Sequence, residues 1–266
     1  MGTTAPPVTG YAALRRPALR PGLHVVRRDD RHLQLGLDPP DRLVLDDRPG
    51  LLEALGDPGR SPDPALLPIL DRLAADGWLV DADRSATAER HRVLARPPVA
   101  VVVDAPLAGT VSRACAMAGV CISETPGPAT LRLVATLGEP RRSVSDLLVR
   151  DDVPHVFVTV SPHRVRVGPF VEPGRTPCLR CLDAHLGERD PRRATVLHQL
   201  EQLPRSHAPW DHGLAQLACA WAARDAVRRL DGEVPALRAA TVTLGDDLEV
   251  THETWLRHPH CGCAWG

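Results

Sequence analysis

Two cysteine pairs constrain the fold of this chain more than any other feature. Cys178-Leu179-Arg180-Cys181 and Cys261-Gly262-Cys263 stand far apart in 266 residues that hold seven cysteines. A tight turn lets each pair aim two sulfurs at one centre. Four thiolates from two such turns make the closed tetrahedral set of a structural Zn²⁺, with Zn–S near ~2.3 Å. Pro177 and Gly262 suit those turns. The chain must therefore bring its far end back onto its middle. With Cys178, Cys181, Cys261 and Cys263 as ligands, no position remains for water, so the expected zinc is structural and not catalytic. His258 and His260 flank the second pair and can replace a thiol. A redox role for Cys178 and Cys181 would leave the second pair unexplained. Cys115, Cys121 and Cys219 lie in apolar segments and read as core thiols.

Composition narrows the function. The formal net charge is −1, and no half of the chain is a basic block. Non-specific nucleic-acid binding, which needs clustered cations against phosphates, is not expected. The sequence contains no lysine, so any mechanism that needs a lysine amine is excluded. No apolar run approaches the roughly twenty residues that span a bilayer. The opening residues lack an apolar signal core. The expectation is a cytoplasmic protein with reduced thiols, not bound to a membrane.

The pattern divides the chain. Residues 1–21 read as a loose arm. Residues 22–46 hold three short alternating runs separated by turn chemistry, the mark of a small antiparallel sheet. In residues 63–80, Leu66, Leu67, Ile69, Leu70 and Leu73 form a helical stripe, with Asp63 as N-cap and Pro64 at the first helical position. Gly77 ends that helix, and Trp78-Leu79-Val80 returns as a strand. Residues 22–82 thus make a winged-helix-like module, and polar residues 83–97 suit a linker. From residue 98 to 266 the style is α/β. Val99–Asp104 is a continuous apolar run, as in a parallel strand buried on both faces. "VCIS", "TLRLVATL" and "HVFVTV" read as further strands, "RSVSDLLVR" as a helix, and "HRVRVGPFVEPG" as an antiparallel edge segment. Residues beyond Cys181 are mostly helical. A long helix is capped by Asp211 and ended by Gly232, and a hairpin leads to the last cysteines.

The turn after Val99–Asp104 is where a Rossmann-type domain binds a nucleotide through glycines whose amides approach phosphate. Here the hexapeptide is Asp104-Ala105-Pro106-Leu107-Ala108-Gly109. Only the third glycine is present, Pro106 removes an amide donor, and Asp104 sets a carboxylate where phosphate oxygens would sit. Repulsion at 4 Å costs ~1 kcal/mol in water and several times that in a half-buried site. A Rossmann-like scaffold without a nucleotide is expected, and ATP is not expected as a cofactor.

"GPFVEPGRTPCLRCL" followed far downstream by "HPHCGC" resembles the ThiF-like family of peptide-modification pathways. These are degenerate relatives of ubiquitin-activating-type adenylating enzymes, found in biosynthesis of thiazole- and oxazole-containing ribosomal peptides, thiopeptides among them. The resemblance covers residues 98–266. Residues 22–82 resemble, by pattern, the PqqD-like peptide-recognition element. The resemblance implies a non-catalytic scaffold that binds the leader of a precursor peptide and presents it to a YcaO-type cyclodehydratase for azoline formation. Active family members use glycines and basic residues, including a lysine, that this chain lacks. Relatives of this fold often dimerise, so a homodimer is an assembly the resemblance allows. In the recognition element a leader adds as a strand to a sheet edge beside a helix. Arg42, Leu43, Val44 and Leu45 on the strand, and Leu66, Ile69, Leu70, Arg72 and Leu73 on the helix, are the implied peptide contacts. Core packing is the competing role of the leucines, and solvation that of Arg72.

Two other readings stand. An adenylyltransferase acting on a peptide or carrier-protein terminus would need a replacement phosphate site, for which Arg113, Arg141 and Arg142 are the nearby cations. A winged-helix DNA-binding regulator would need a basic recognition helix, and residues 64–77 hold one arginine and two aspartates. No Ser/His/Asp or Cys/His set is placed for nucleophilic catalysis.

Overall fold

The structure is a computed structural model that describes residues 10–57, 61–123, 130–203 and 209–264, with 84–89 and 264 by backbone alone. The chain divides into two compact units, Met1–Arg92 and Val93–Gly266.

The first unit orders strands β1 (Pro17–Leu19), β2 (Val25–Arg27), β3 (His32–Leu35) and β4 (Leu43–Asp46), helices α1 (Leu51–Gly56) and α2 (Leu67–Ala75), and strand β5 (Leu79–Asp81). Strands β2, β3 and β4 form an antiparallel sheet in that order, and β1 pairs with β5. Alternation along β3 buries Leu33 and Leu35 against Leu51, Leu55, Leu66, Leu70 and Leu73. Asp63 caps the turn into α2 by accepting from Ala65 N–H at 2.8 Å. Gly77, at φ 77°, reverses the chain into β5. The expected arm is ordered from residue 10 onward, and residues 1–9 of it lie outside the described set. Tyr11 is buried in the core, its N–H donates to Asp71 at 2.7 Å, and β1 covers β5. A three-residue β5 has no other partner strand. The polar segment 83–97 is not irregular. Helix α3 (Ala82–Ala95) occupies most of it, because alanine, arginine and glutamate favour helix whatever their polarity.

The second unit holds β6 (Ala100–Val103), α4 (Ala108–Met117), β7 (Arg132–Leu137), α5 (Arg142–Arg150), β8 (His155–Ser161), β9 (Arg164–Val171), α6 (Leu179–Arg189), α7 (Arg193–Gln202), α8 (His212–Leu230), β10 (Ala240–Gly245) and β11 (Val250–Thr254). One six-stranded mixed sheet runs β11-β10-β9-β8-β7-β6, with β6, β7 and β8 parallel and the rest antiparallel. Val111, Cys115, Ala215 and Cys219 of α4 and α8 pack on one face with Leu133, Val156 and Val158. Leu148, Leu179 and Leu182 of α5 and α6 pack on the other with Val134 and Phe157. Both faces are covered, which explains the continuous apolar runs.

Three expectations change. Segment 164–171 is an internal strand and not an edge, because the β10–β11 hairpin adds beyond it. "VCIS" contributes a single bridge, Ile122 to Val99. Cys121 is exposed and not a core thiol, since alternation there buries Val120 and turns Cys121 outward. Within the "GPFVEPG" stretch, Gly168 has φ +94°, and a Cβ there would stand 2.4 Å from the Ala240 carbonyl oxygen. The close approach of β9 to β10 requires glycine.

Candidate functional site

Cys178 precedes α6, Cys181 lies in its first turn, and Cys261 and Cys263 follow β11. The fold brings all four sulfurs within 4.8 Å of one another. Cys178 Sγ is 3.9 Å from Cys181 Sγ and 3.7 Å from Cys261 Sγ, and Cys181 Sγ is 3.3 Å from Cys263 Sγ. A tetrahedron with ~2.3 Å metal–sulfur bonds has edges of ~3.8 Å. The donor set therefore fits one soft ion. The bare thiols cannot all ionise side by side. The hydrogen bond between them holds the proton on Cys178 and lowers Cys181 to about 4, while burial raises Cys261 to about 11. A cation among them would offset that mutual repulsion.

His258 and His260 stay outside the sulfur cluster. His258 is buried and accepts the His260 N–H at Nδ1, 3.2 Å away. Its Nε2 therefore carries the proton and faces Glu188 Oε1 at 3.1 Å. His185, Glu188 and His258 also bring their polar atoms within 4.8 Å. The tautomer that His260 imposes leaves His258 a donor toward Glu188 and not a metal ligand, so this trio is a clasp between α6 and the 258 turn. His185 joins it edge to face, with ring centroids 4.7 Å apart.

The strand-end crevice is built differently. After β6, Ala105–Leu107 form a 3-10 turn containing Pro106. Asp104 Oδ2 accepts the Leu137 N–H at 2.8 Å. At the next helix, the Arg142 N–H at the start of α5 donates to Glu201 Oε1 of α7 at 2.7 Å. The Leu137 and Arg142 amides at these strand and helix ends are thus held by the chain's own carboxylates. The Arg142 guanidinium is buried and forks onto Asp183 at 2.7 and 2.8 Å, with Glu139 at 3.1 Å. Glu139 also takes Arg166 at 2.8 Å, and these cations keep its pKa below the ordinary carboxylate value despite burial. Arg142 therefore has no capacity left for phosphate. Arg141 is exposed at the rim, and Arg113 is exposed on α4.

In the first unit, Asp47 N–H donates to Arg31 O and Arg28 N–H to His32 O. With the β3–β4 register, this parity turns the N–H and C=O of Leu43 and Leu45 toward β3. Those of Arg42, Val44 and Asp46 face the open edge. Leu66, Leu70 and Leu73 are buried in the core, leaving Ile69 partly buried and Arg72 exposed on α2. Of the proposed peptide contacts, then, the three leucines are already packed. Sequence reasoning missed Glu139, Asp183 and Glu201. Glu201 lies 59 residues from the amide it meets, and no local pattern marks it.

No protein-family model and no curated protein sequence matches the chain. Solved structures share its fold. The heterocyclase TruD aligns with a TM-score of 0.71 at 19% identity, over 94% of this chain and 42% of that one. A heterocyclase solved with substrate and cofactor aligns at 0.69 and 21% identity, over 93% and 39%. E. coli MccB solved with ATP aligns at 0.61 and 11% identity, over 93% and 99%. The chain thus spans about two fifths of each heterocyclase and nearly all of MccB. Among the described residues, no helix is long and apolar enough to cross a membrane.

Proposed function

We propose that this protein is a non-catalytic scaffold of ribosomal-peptide modification. It binds the leader of a precursor peptide and presents the substrate to a YcaO-type cyclodehydratase that forms azolines, in the cytoplasm. The observation that supports this reading is the crevice at the strand ends, where Asp104 and Glu201 hold the Leu137 and Arg142 amides and Asp183 and Glu139 hold the Arg142 guanidinium, so that few donors are left for a phosphate. The likeness to part of two heterocyclases supports it. The first unit acts as the PqqD-like winged-helix recognition element and the second as a degenerate Rossmann-like, ThiF-type domain. Zn²⁺ on Cys178, Cys181, Cys261 and Cys263 closes that domain structurally.

The leader adds as a strand along β4, pairing with the outward groups of Arg42, Val44 and Asp46, beside Ile69 and Arg72 of α2. Fluorescence polarisation with a labelled leader, from a Cys/Ser/Thr-rich precursor encoded beside this gene, tests the reading. Val44→Pro removes an outward donor without touching the β3 ladder, and should abolish binding while the melting temperature holds. Binding that survives this change, or no binding to any such leader, removes the reading.

Likeness to MccB, which was solved with ATP, favours an adenylyltransferase as the second reading. ATP–pyrophosphate exchange above background would establish it.

A further inference from the structure

Among the described residues, the crevice at the strand ends of the second unit stands open. A cavity of about 370 Å³ opens at the carboxyl ends of β7 and β8. Its walls include Leu137, Pro140 and Val160 on the sheet side and Leu200, Leu203 and Trp210 across from them. Its size falls within the ~300–1,000 Å³ of ligand pockets, and crevices at strand ends are where open α/β sheets bind ligands.

The polar groups around it sort into two kinds. Glu139 is taken by Arg142 and Arg166, and Glu201 by the Arg142 amide, so neither offers charge to a ligand. Arg141 also lines the cavity, is exposed, and belongs to no ion pair among the described residues. Helix α7 buries none of its residues, and Leu200 and Leu203, which line the cavity, remain 48% and 57% exposed. An apolar wall that its own chain leaves wet, beside a lone cation, is complementary to an apolar side chain that travels with a carboxylate.

We propose that this crevice is a second peptide-binding site, one that seats an apolar residue of an acidic peptide segment, with Arg141 meeting the carboxylate. The proposal takes from the reading above only the idea that a peptide is the ligand. The edge of β4 has no part in it.

The test uses the full chain labelled with fluorotryptophan, with the Trp210 signal assigned by its loss in Trp210→Phe. Blocked tetrapeptides are the probes: Leu-Phe-Glu-Glu, its charge-reversed partner Leu-Phe-Arg-Arg, and Ser-Ser-Glu-Glu. The acidic apolar peptide should shift the Trp210 signal with millimolar affinity and bind about fivefold more tightly than the arginine peptide. Ser-Ser-Glu-Glu should leave the signal in place. Arg141→Glu, an exposed change, should reverse the preference between the charged pair, and Leu200→Asp should weaken binding about tenfold or more. Val44→Pro should change nothing here, so failure of this site and failure of leader capture on β4 read out separately. The proposal is overturned by an unmoved Trp210 signal at ten times the expected concentration range, by equal binding of the two charged peptides, or by a preference that Arg141→Glu leaves intact.

Discussion

The cysteine cluster and the strand-end crevice belong to one unit and answer charge in opposite ways. At the cluster, three buried sulfurs and the half-buried Cys263 sulfur converge, so the repulsion of their thiolates would call for a cation from outside. At the crevice, the Leu137 and Arg142 amides and the buried Arg142 guanidinium meet carboxylates from the same chain. The first arrangement is incomplete without a ligand. In the second, the buried charges are paired without one. The lesson is that neighbouring parts of one sheet scaffold can leave one cluster of donors open to a cation and pair another with the chain's own charges, and that counting donors alone would not separate the two.

The strongest challenge to this contrast is removal of the metal. The purified protein should carry one zinc per chain by elemental analysis. Cys261→Ser with Cys263→Ser should remove it and cost several kcal/mol, read as a large fall in melting temperature. Unchanged metal content and melting would end the zinc assignment.

On the crevice side, Arg142→Met leaves Asp183 and Glu139 without their buried partner. The expected loss is about 4 kcal/mol by chemical denaturation, since a stranded buried charge costs more than the pair contributes. A loss under ~1 kcal/mol would mean that water reaches the network.

A third measurement separates general acid sensitivity from the crevice. His155 is fully buried at the start of β8, and burial lowers its pKa from 6.5 to about 4, although Nδ1 contacts the Val153 carbonyl at 2.8 Å. The folded state thus resists protonation. Stability should be full above pH 6.5 and fall by about 3 kcal/mol as pH drops toward 4. His155→Gln should flatten that slope. A slope that persists in the variant would assign the loss to other groups.

The smallest effect belongs to Asp104→Ala, which frees the Leu137 amide and should cost about 1 kcal/mol. ATP should still fail to bind by calorimetry, because Pro106 and Glu201 remain. Binding regained by this one change would show that a single carboxylate closes the site.

Local chemistry in the sequence announced a good part of this. The Asp211 cap, accepting from Leu214 N–H at 2.8 Å, and the positive φ of Gly77 and Gly232 follow from residue type alone. So does the spacing that pairs the cysteines. What escaped was decided by distant partners. The 164–171 strand looks like an edge until the β10–β11 hairpin pairs with it. Residues 17–19 of the arm form a strand because they pair with β5. Arg142 reads as a free cation until Asp183, 41 residues away, meets it across α6.

A metal held by all four cysteines would also set an order of events in synthesis. Cys261 follows Cys178 by 83 residues. At ~5–20 residues per second, the α6 thiols wait roughly 4–17 s after translation before their partners exist. During that interval a nascent chain on the ribosome carries two unclosed thiols, and oxidants or competing metals have their best access then, before the last hairpin seals the domain.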